Sequence, residues 1–260
     1  MMGPSHAACG AAAWVALTAD YQLHLQDVTV PIGWGLVDVG DVGVLTGALV
    51  TAGAALLPDL DHPGGTVARS LPPVSRWLAR GIGRLSGGHR RGTHSLLGVA
   101  AFTGLAALAQ NAGVPVAGLG RVWPLAAVMS VLLIAFAVQA LAFVPDRLEK
   151  YNWVVGIGLG LVVGLHPPEH EWWFAVAVGT GVVVHLLGDL LTTQGIHLLY
   201  PLRLPLPLPR ALYRGRSFVA LPLLGNAGSV AEIALLAPVT AFVLTGLGIA
   251  LALSTGLGLA

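Results

Sequence analysis

Long apolar stretches separated by short polar segments dominate the sequence. A membrane-spanning helix needs roughly 17–25 mostly apolar residues. The apolar stretches of about this length or slightly less cover residues 7–25, 36–57, 95–111, 122–144, 153–165, 172–191 and 230–253. The first is weak, because Asp20, Gln22 and His24 interrupt its second half, and the fifth is short unless it begins at Leu148. The pattern predicts an all-α fold, a polytopic membrane helix bundle with about six or seven spans.

The polar segment after the second stretch contains a further predicted helix. Glycine and proline pairs interrupt residues 59–93, but residues 74–85 are free of proline. On this helix three arginines form one side and four apolar residues form another; the members are Arg76, Arg80, Arg84, Trp77, Leu78, Ile82 and Leu85. A basic amphipathic helix of this kind is typical of an interfacial helix lying on lipid. A solvated helix within a loop explains the pattern equally well.

Composition supports a membrane protein. Of the 260 residues, 55% are hydrophobic and only 10% are charged, whereas a soluble domain carries roughly a quarter charged residues. We therefore expect a single integral membrane domain over residues 1–260. The lone Cys9 excludes an intramolecular disulfide and a cysteine-based zinc cluster. The net charge of +1 gives no reason to propose nucleic acid as a partner, and the N-terminal region lacks the basic segment of a cleavable signal peptide.

The basic residues predict an orientation. Lysine and arginine accumulate in short cytoplasmic loops. With a cytoplasmic N-terminus and seven spans, every basic residue except Arg121 falls in the cytoplasmic loops 59–93, 145–152 and 192–229. The loop 166–171 holds two acids and no basic residue, as expected for the outer side.

Three polar stretches are predicted to meet at the cytoplasmic ends of the helices: residues 56–63, 89–95 and 185–189. Together with an early histidine they supply these candidate metal ligands: His6, Asp59, Asp61, His62, His94, His185 and Asp189. His185 and Asp189 are four residues apart and so share one face of a helix. Ionisable groups in a span are costly and rarely unpaired, and a bound divalent cation would compensate several of them at once. Considered alone, Asp59 and Asp61 could simply terminate a helix. Considered alone, His185 could be a hydrogen-bonded histidine of the protein core.

Histidine and carboxylate ligands without thiolates suit zinc best, and manganese or iron less well. The number of candidates allows one or two ions, and a two-metal site suits phosphoester hydrolysis. Asp59 or Asp61 is a candidate general base where it is not a ligand. The candidate substrate-binding residues are His89, Arg90, Arg91 and Thr93, with arginine suited to a phosphate. A lipid-phosphate substrate fits a site at the membrane surface.

The same stretches resemble the signature blocks of the YdjM-like family of membrane-bound metal-dependent hydrolases. The resemblance rests on Ser5-His6, residues 57–62, 89–95 and 185–195, and more loosely on residues 228–232. Their order agrees over most of the chain. The family is commonly likened to zinc-dependent phospholipase C enzymes. The resemblance therefore implies a membrane-bound metal-dependent hydrolase. Together with the distribution of basic residues, it predicts a location in the bacterial cytoplasmic membrane with the active site facing the cytoplasm.

Two other functions remain as alternatives. Intramembrane aspartate and histidine also mark ion paths, as in a transporter, although transporter sites usually lie near the membrane midplane and these residues gather at one end. A non-catalytic scaffold stabilised by a metal would have a closed coordination shell, without an open position for water.

Overall fold

The computed structural model describes residues 1–70, 73–118, 120–144, 151–165, 167–168, 170–203, 209, 212–213 and 217–256. Its helices are α1 (Gly3–Thr18), α2 (Gly40–Ala54), α3 (Thr66–Ser70), α4 (Val74–Leu85), α5 (Leu96–Asn111), α6 (Pro124–Ala140), α7 (Asn152–Leu165), α8 (Trp173–Leu190) and α9 (Val230–Ser254). A 3-10 turn, Pro58–Asp61, follows α2. The strands are β1 (Tyr21–Leu25), β2 (Val28–Ile32), β3 (Val114–Val116) and β4 (Gly120–Val122).

The prediction of an all-α chain is wrong, because two antiparallel hairpins interrupt the helices. The first predicted helix, residues 7–25, is α1 followed by β1, which pairs with β2. In this region polar Gln22 and His24 alternate with apolar neighbours, and this alternation has the period of a strand. The start of the predicted helix 122–144 belongs to the hairpin of β3 and β4, and α6 begins only at Pro124, a favoured first helical residue.

The predicted number of about six or seven spans is also wrong. In the described part of the chain, three helical segments are long and apolar enough to cross a membrane: Gly40–Asp61, Trp173–Leu190 and Val230–Ser254. The apolar helices α5, α6 and α7 are shorter. At 1.5 Å per residue, the 16 residues of α5 reach only about 24 Å, less than the roughly 30 Å of a bilayer core.

The predicted orientation loses its basis in part, since it assumed seven spans. Five of its basic residues lie outside the described residues: Arg147, Lys150, Arg210, Arg214 and Arg216. The described basic residues of the predicted cytoplasmic loops are Arg69, Arg76, Arg80, Arg84, Arg90, Arg91 and Arg203. Arg121 lies in β4, beyond the far end of α5.

Helix α2 lies at the centre and packs against α1, α6, α8 and α9. Small residues make this close packing feasible, as is common between membrane helices. A Cβ atom at Gly181 of α8 would lie 2.6 Å from the carbonyl oxygen of Thr51 in α2. The backbones of α2 and α8 therefore touch, and their ends on one side of the bundle are held side by side.

Candidate metal centre

The three polar stretches meet where α2 and α8 end and α5 begins. Asp59 and Asp61 lie in the 3-10 turn after α2. His94 directly precedes Ser95, whose side chain caps α5 by accepting from the amide of Gly98. His185 and Asp189 lie in the last turns of α8. The expected convergence of these stretches is therefore confirmed.

Two histidine nitrogens and two carboxylate oxygens lie close together, and these four atoms are called the four-donor centre. The Nε2 atoms of His94 and His185 are 3.1 Å apart. His94 Nε2 lies 3.6 Å from Asp59 Oδ1 and 3.6 Å from Asp189 Oδ2. His185 Nε2 lies 3.8 Å from each of the same two oxygens. A tetrahedral zinc site with bonds of about 2.0–2.2 Å has donors about 3.3–3.6 Å apart. The donor set and its spacing thus fit a divalent cation.

Both histidine rings are oriented so that Nδ1 contacts other protein groups and Nε2 points into the four-donor centre. The Nδ1–H of His185 donates to the carbonyl oxygen of Ala55, 2.6 Å away. Because a carbonyl oxygen only accepts, the proton is on Nδ1 and the lone pair on Nε2. His94 Nδ1 lies 3.0 Å from the hydroxyl oxygen of Thr93 and 3.3 Å from Asp61 Oδ2. A carboxylate behind the ring is the usual way of orienting a metal-ligating histidine.

Asp61 is buried and already saturated by protein donors. Its Oδ2 accepts from the hydroxyl of Thr93 at 2.6 Å and from the backbone amide of Arg90 at 3.2 Å. Its Oδ1 lies 2.7 Å from Nδ1 of His89. These contacts tie the 3-10 turn to the stretch before α5, so Asp61 fixes the relative position of both.

Asp189 faces the four-donor centre with Oδ2 and a set of basic groups with Oδ1. Arg90 donates to Oδ1 at 3.0 Å, the ammonium group of Met1 lies 2.6 Å away, and His6 Nε2 lies 3.3 Å away. The same guanidinium donates to Thr192 and to the carbonyl of Gly195. Arg90 therefore holds the Asp189 carboxylate in one orientation.

His6 lies behind this centre. Its ring stacks on His185 with the ring centroids 3.7 Å apart. It is buried, and neither ring nitrogen makes a hydrogen bond among the described residues. With His185 and Asp189 it forms one group of close donor atoms, and a second group comprises Asp59, Asp61, His89 and His94.

The charges around His94 favour a cation. Burial lowers the pKa of an imidazole, but at His94 the contacts with Asp59 and Asp61 outweigh burial and raise the pKa to about 9. Three carboxylates lie within 3.6 Å of its ring nitrogens. The centre therefore stabilises positive charge, either as a proton on His94 or, in place of that proton, as a bound cation.

The centre opens on one side. His94, His185 and Asp189 are buried, whereas the side chain of Asp59 is 22% exposed and that of His89 is 34% exposed. Exposed His62 lies at this rim, its ring centroid 4.6 Å from that of His89, and it belongs to neither donor group. Among the predicted substrate residues, the terminal nitrogens of Arg90 and the hydroxyl of Thr93 donate within the protein, and Arg91 is half-buried.

Several groups that shape the centre were not predicted. The carbonyl of Ala55 orients His185, and no pattern of side chains reveals such a backbone acceptor. Thr192 and Gly195 accept hydrogen bonds from Arg90. Both lie in the stretch 185–195 that resembles the family, but no role was predicted for either. His89 was expected to bind substrate, but its ring nitrogen contacts Asp61.

The fold and the site together define a membrane protein with a buried histidine and carboxylate centre. Comparison with family models identifies the family. The chain belongs to the YdjM inner membrane protein family, whose model matches residues 1–255. Neither the curated proteins nor the solved structures contain a match to the chain. The family description and the apolar helices agree with an inner-membrane location.

Proposed function

We propose that this protein is a membrane-bound, metal-dependent hydrolase of a phosphoester, with one divalent cation, most simply zinc, at the four-donor centre. The observation that carries the proposal is the convergence of His94 Nε2 and His185 Nε2, 3.1 Å apart, between two carboxylates. Both rings have their Nδ1 atoms engaged elsewhere, which leaves the Nε2 lone pairs for an ion.

A single ion fits better than two. Oδ1 of Asp189 contacts the guanidinium of Arg90 at 3.0 Å, and a second cation on that oxygen would lie beside a fixed positive charge. Both oxygens of Asp61 already accept hydrogen bonds or contact an imidazole. Asp61 then orients His94 and His6 stacks on His185, so they support the centre rather than complete a second one, and His62 lies at the rim.

The exposed corner of the centre is where chemistry would take place. A bound divalent cation lowers the pKa of water to about 7 and polarises a phosphoryl oxygen. His94, His185 and Asp189 are the buried ligands, and Asp59 is the candidate base beside the open side. Water adds to phosphorus, Asp59 takes its proton, the phosphorus–oxygen ester bond breaks, and that proton passes to the departing alkoxide. Asp61 orients His94 and Arg90 orients Asp189.

Location and substrate class follow from the charges at this end of the molecule. Arg91 is half-buried, its backbone carbonyl accepts from the amide of His94, and an arginine side chain suits a phosphate oxygen. The described basic residues, apart from Arg121, belong to the same predicted loops as the site, which supports a cytoplasmic position of the site. A phosphoester carried by a lipid fits a centre in a membrane protein.

Metal content of purified protein tests the proposal. We expect about one zinc per chain in wild type and little in His94→Ala, His185→Ala and Asp189→Ala. His24→Ala is the matched control, because His24 lies in β1 and contacts Thr29 instead. Equal metal in wild type and the three variants would refute the centre. Hydrolysis of bis(4-nitrophenyl) phosphate that requires added metal would support the reaction.

A metal-stabilised scaffold is the second candidate, because the four donors lie at distances close to those of a closed tetrahedral shell. Asp59→Asn separates the two functions. As a base beside an open site, Asp59 is needed for hydrolysis, and its replacement leaves most of the metal in place. As a fourth structural ligand it is needed for binding, and its replacement releases the metal and lowers thermal stability.

A further inference from the structure

Helix α4 is packed on one face only. Ala79 is fully buried and Ile82 packs against the core. A Cβ atom at Gly83 would lie 2.8 Å from the backbone oxygen of Asp61. The inner face of α4 is therefore in contact with the 3-10 turn that carries the candidate centre.

A second face of α4 exposes large apolar side chains. Trp77 is 65% exposed, Leu78 is 54% exposed and Leu85 is 87% exposed. Val74 lies on the same side, since the helical period places these four residues within one stripe. Contiguous apolar surface of this kind marks a contact with a membrane or a partner.

A third face is basic. Arg76, Arg80 and Arg84 follow one another at intervals of four and are exposed, so they form a continuous stripe. Helix α4 contains no acidic residue. The ion pairs of the described residues include Arg90 but none of these three arginines. The stripe thus presents uncompensated positive charge beside the apolar one.

We propose that α4 binds the surface of an anionic phospholipid bilayer. The apolar stripe enters the boundary between headgroups and acyl chains, and the arginines contact lipid phosphates. An anionic lipid surface matches both stripes at once, and the membership of an inner membrane protein family supplies the bilayer. Because α4 contacts the turn of Asp59 and Asp61, this docking also sets the open side of the centre at headgroup level, a consequence that rests on the proposed function.

Spin labels on full-length protein in lipid nanodiscs test the proposal. Single labels are attached at Leu78→Cys, Leu85→Cys and Arg76→Cys, each with Cys9→Ser to remove the native thiol. In nanodiscs of phosphatidylcholine mixed with phosphatidylglycerol, we expect the two leucine positions to be accessible to oxygen and protected from a water-soluble nickel chelate. The label at Arg76, on the basic stripe of the same helix, reports the higher nickel accessibility of the headgroup region.

Lipid charge provides the second arm of the test. We expect the leucine labels to move towards water in pure phosphatidylcholine. The same shift of the leucine labels is expected in mixed nanodiscs when Arg76, Arg80 and Arg84 are all replaced by glutamine. The Arg121→Gln variant, which changes a basic residue of β4, serves as the control and leaves the labels unchanged.

Three outcomes overturn the proposal. High nickel accessibility at both leucine positions means that α4 lies in water. Protection from both reagents means that a protein covers it. Equal membrane depth of the leucine labels with and without phosphatidylglycerol means that anionic lipid has no role in the binding of α4. The metal content of the same preparations is measured separately, so lipid-exposed labels without bound metal would reject the hydrolase and keep the lipid surface.

Discussion

The role of Asp61 distinguishes a residue that orients a ligand from a ligand itself. In the structure its carboxylate contacts the far side of the His94 ring, at 3.3 Å from Nδ1, and also holds Thr93 and the Arg90 amide. Asp61→Asn keeps the volume of the side chain but removes its charge. The amide oxygen can still accept from part of this set, so the ring of His94 is expected to loosen rather than turn away.

The expected effect is therefore a partial loss of metal affinity. Changing the group behind a ligating histidine typically costs about 10–100-fold in affinity, which corresponds to about 1.4–2.7 kcal/mol. Asp189→Asn makes the same chemical change at a proposed ligand and is expected to weaken binding well beyond that range. Asp41→Asn, which alters an acceptor of the Tyr21 hydroxyl in another part of the molecule, is expected to leave the affinity unchanged.

Zinc affinity is measured in detergent by competition with a fluorescent chelating indicator at fixed pH. The three asparagine variants are compared with wild type, and circular dichroism checks that each remains folded. An affinity of Asp61→Asn within about twofold of wild type would show that the contact does not tune the centre. A loss as large as that of Asp189→Asn would make Asp61 a ligand and contradict the orienting role.

Three further predictions concern the surroundings of the centre. Arg90→Lys should lower zinc affinity about tenfold in the same assay, because one ammonium cannot replace a guanidinium with three partners. The control Arg84→Lys, at an exposed position, should leave zinc affinity unchanged, and equal effects of the two variants would reject the role of Arg90 in holding Asp189. Gly181→Ala should destabilise by about 1–3 kcal/mol through overpacking against α2, measured by thermal unfolding against Gly248→Ala, whose new Cβ meets no atom within 4 Å; an unchanged melting temperature would contradict the contact. Ser229→Ala should cost about 0.5–2 kcal/mol by removing the cap of α9, and no change by the same measurement would show that the cap contributes nothing.

Helices with strong apolar or amphipathic patterns were predicted well. The helix expected over residues 74–85 is α4, with the same bounds. The last helix, expected over residues 230–253, is α9 and ends one residue later. Periodicity and breakers decide such elements locally, so the sequence alone suffices for them.

The number of spans was predicted wrongly where apolar residues belong to a hairpin or to non-helical chain instead of a longer helix. Residues 21–25 were predicted to continue the first helix despite Gln22 and His24, yet they pair with β2 across a turn in which Gln26 has a φ of +50°. The stretch 36–57 begins with non-helical chain, and its amides at Leu36 and Val37 donate to the carbonyl of Leu17. Average hydropathy does not distinguish these arrangements from a longer helix, because burial in protein and burial in lipid select the same residues.

The centre was predicted from residue types and helix ends, but its internal order was not. The sequence indicated that seven candidate ligands meet: His6, Asp59, Asp61, His62, His94, His185 and Asp189. The structure brings Asp59, His94, His185 and Asp189 together, with His6 and Asp61 beside them and His62 at the rim. The sequence could not reveal which carboxylate faces an ion and which supports a ring, since that depends on atomic distances such as those between Asp61 and His94.

X-ray diffraction at the zinc absorption edge, on crystals of the zinc-loaded protein, tests the central claim most directly. The account predicts one anomalous peak per chain, about 2.0–2.2 Å from His94 Nε2 and His185 Nε2 and in contact with Asp189. No peak in this pocket, or a peak bound by other residues while the two Nε2 atoms contact only each other, would contradict it.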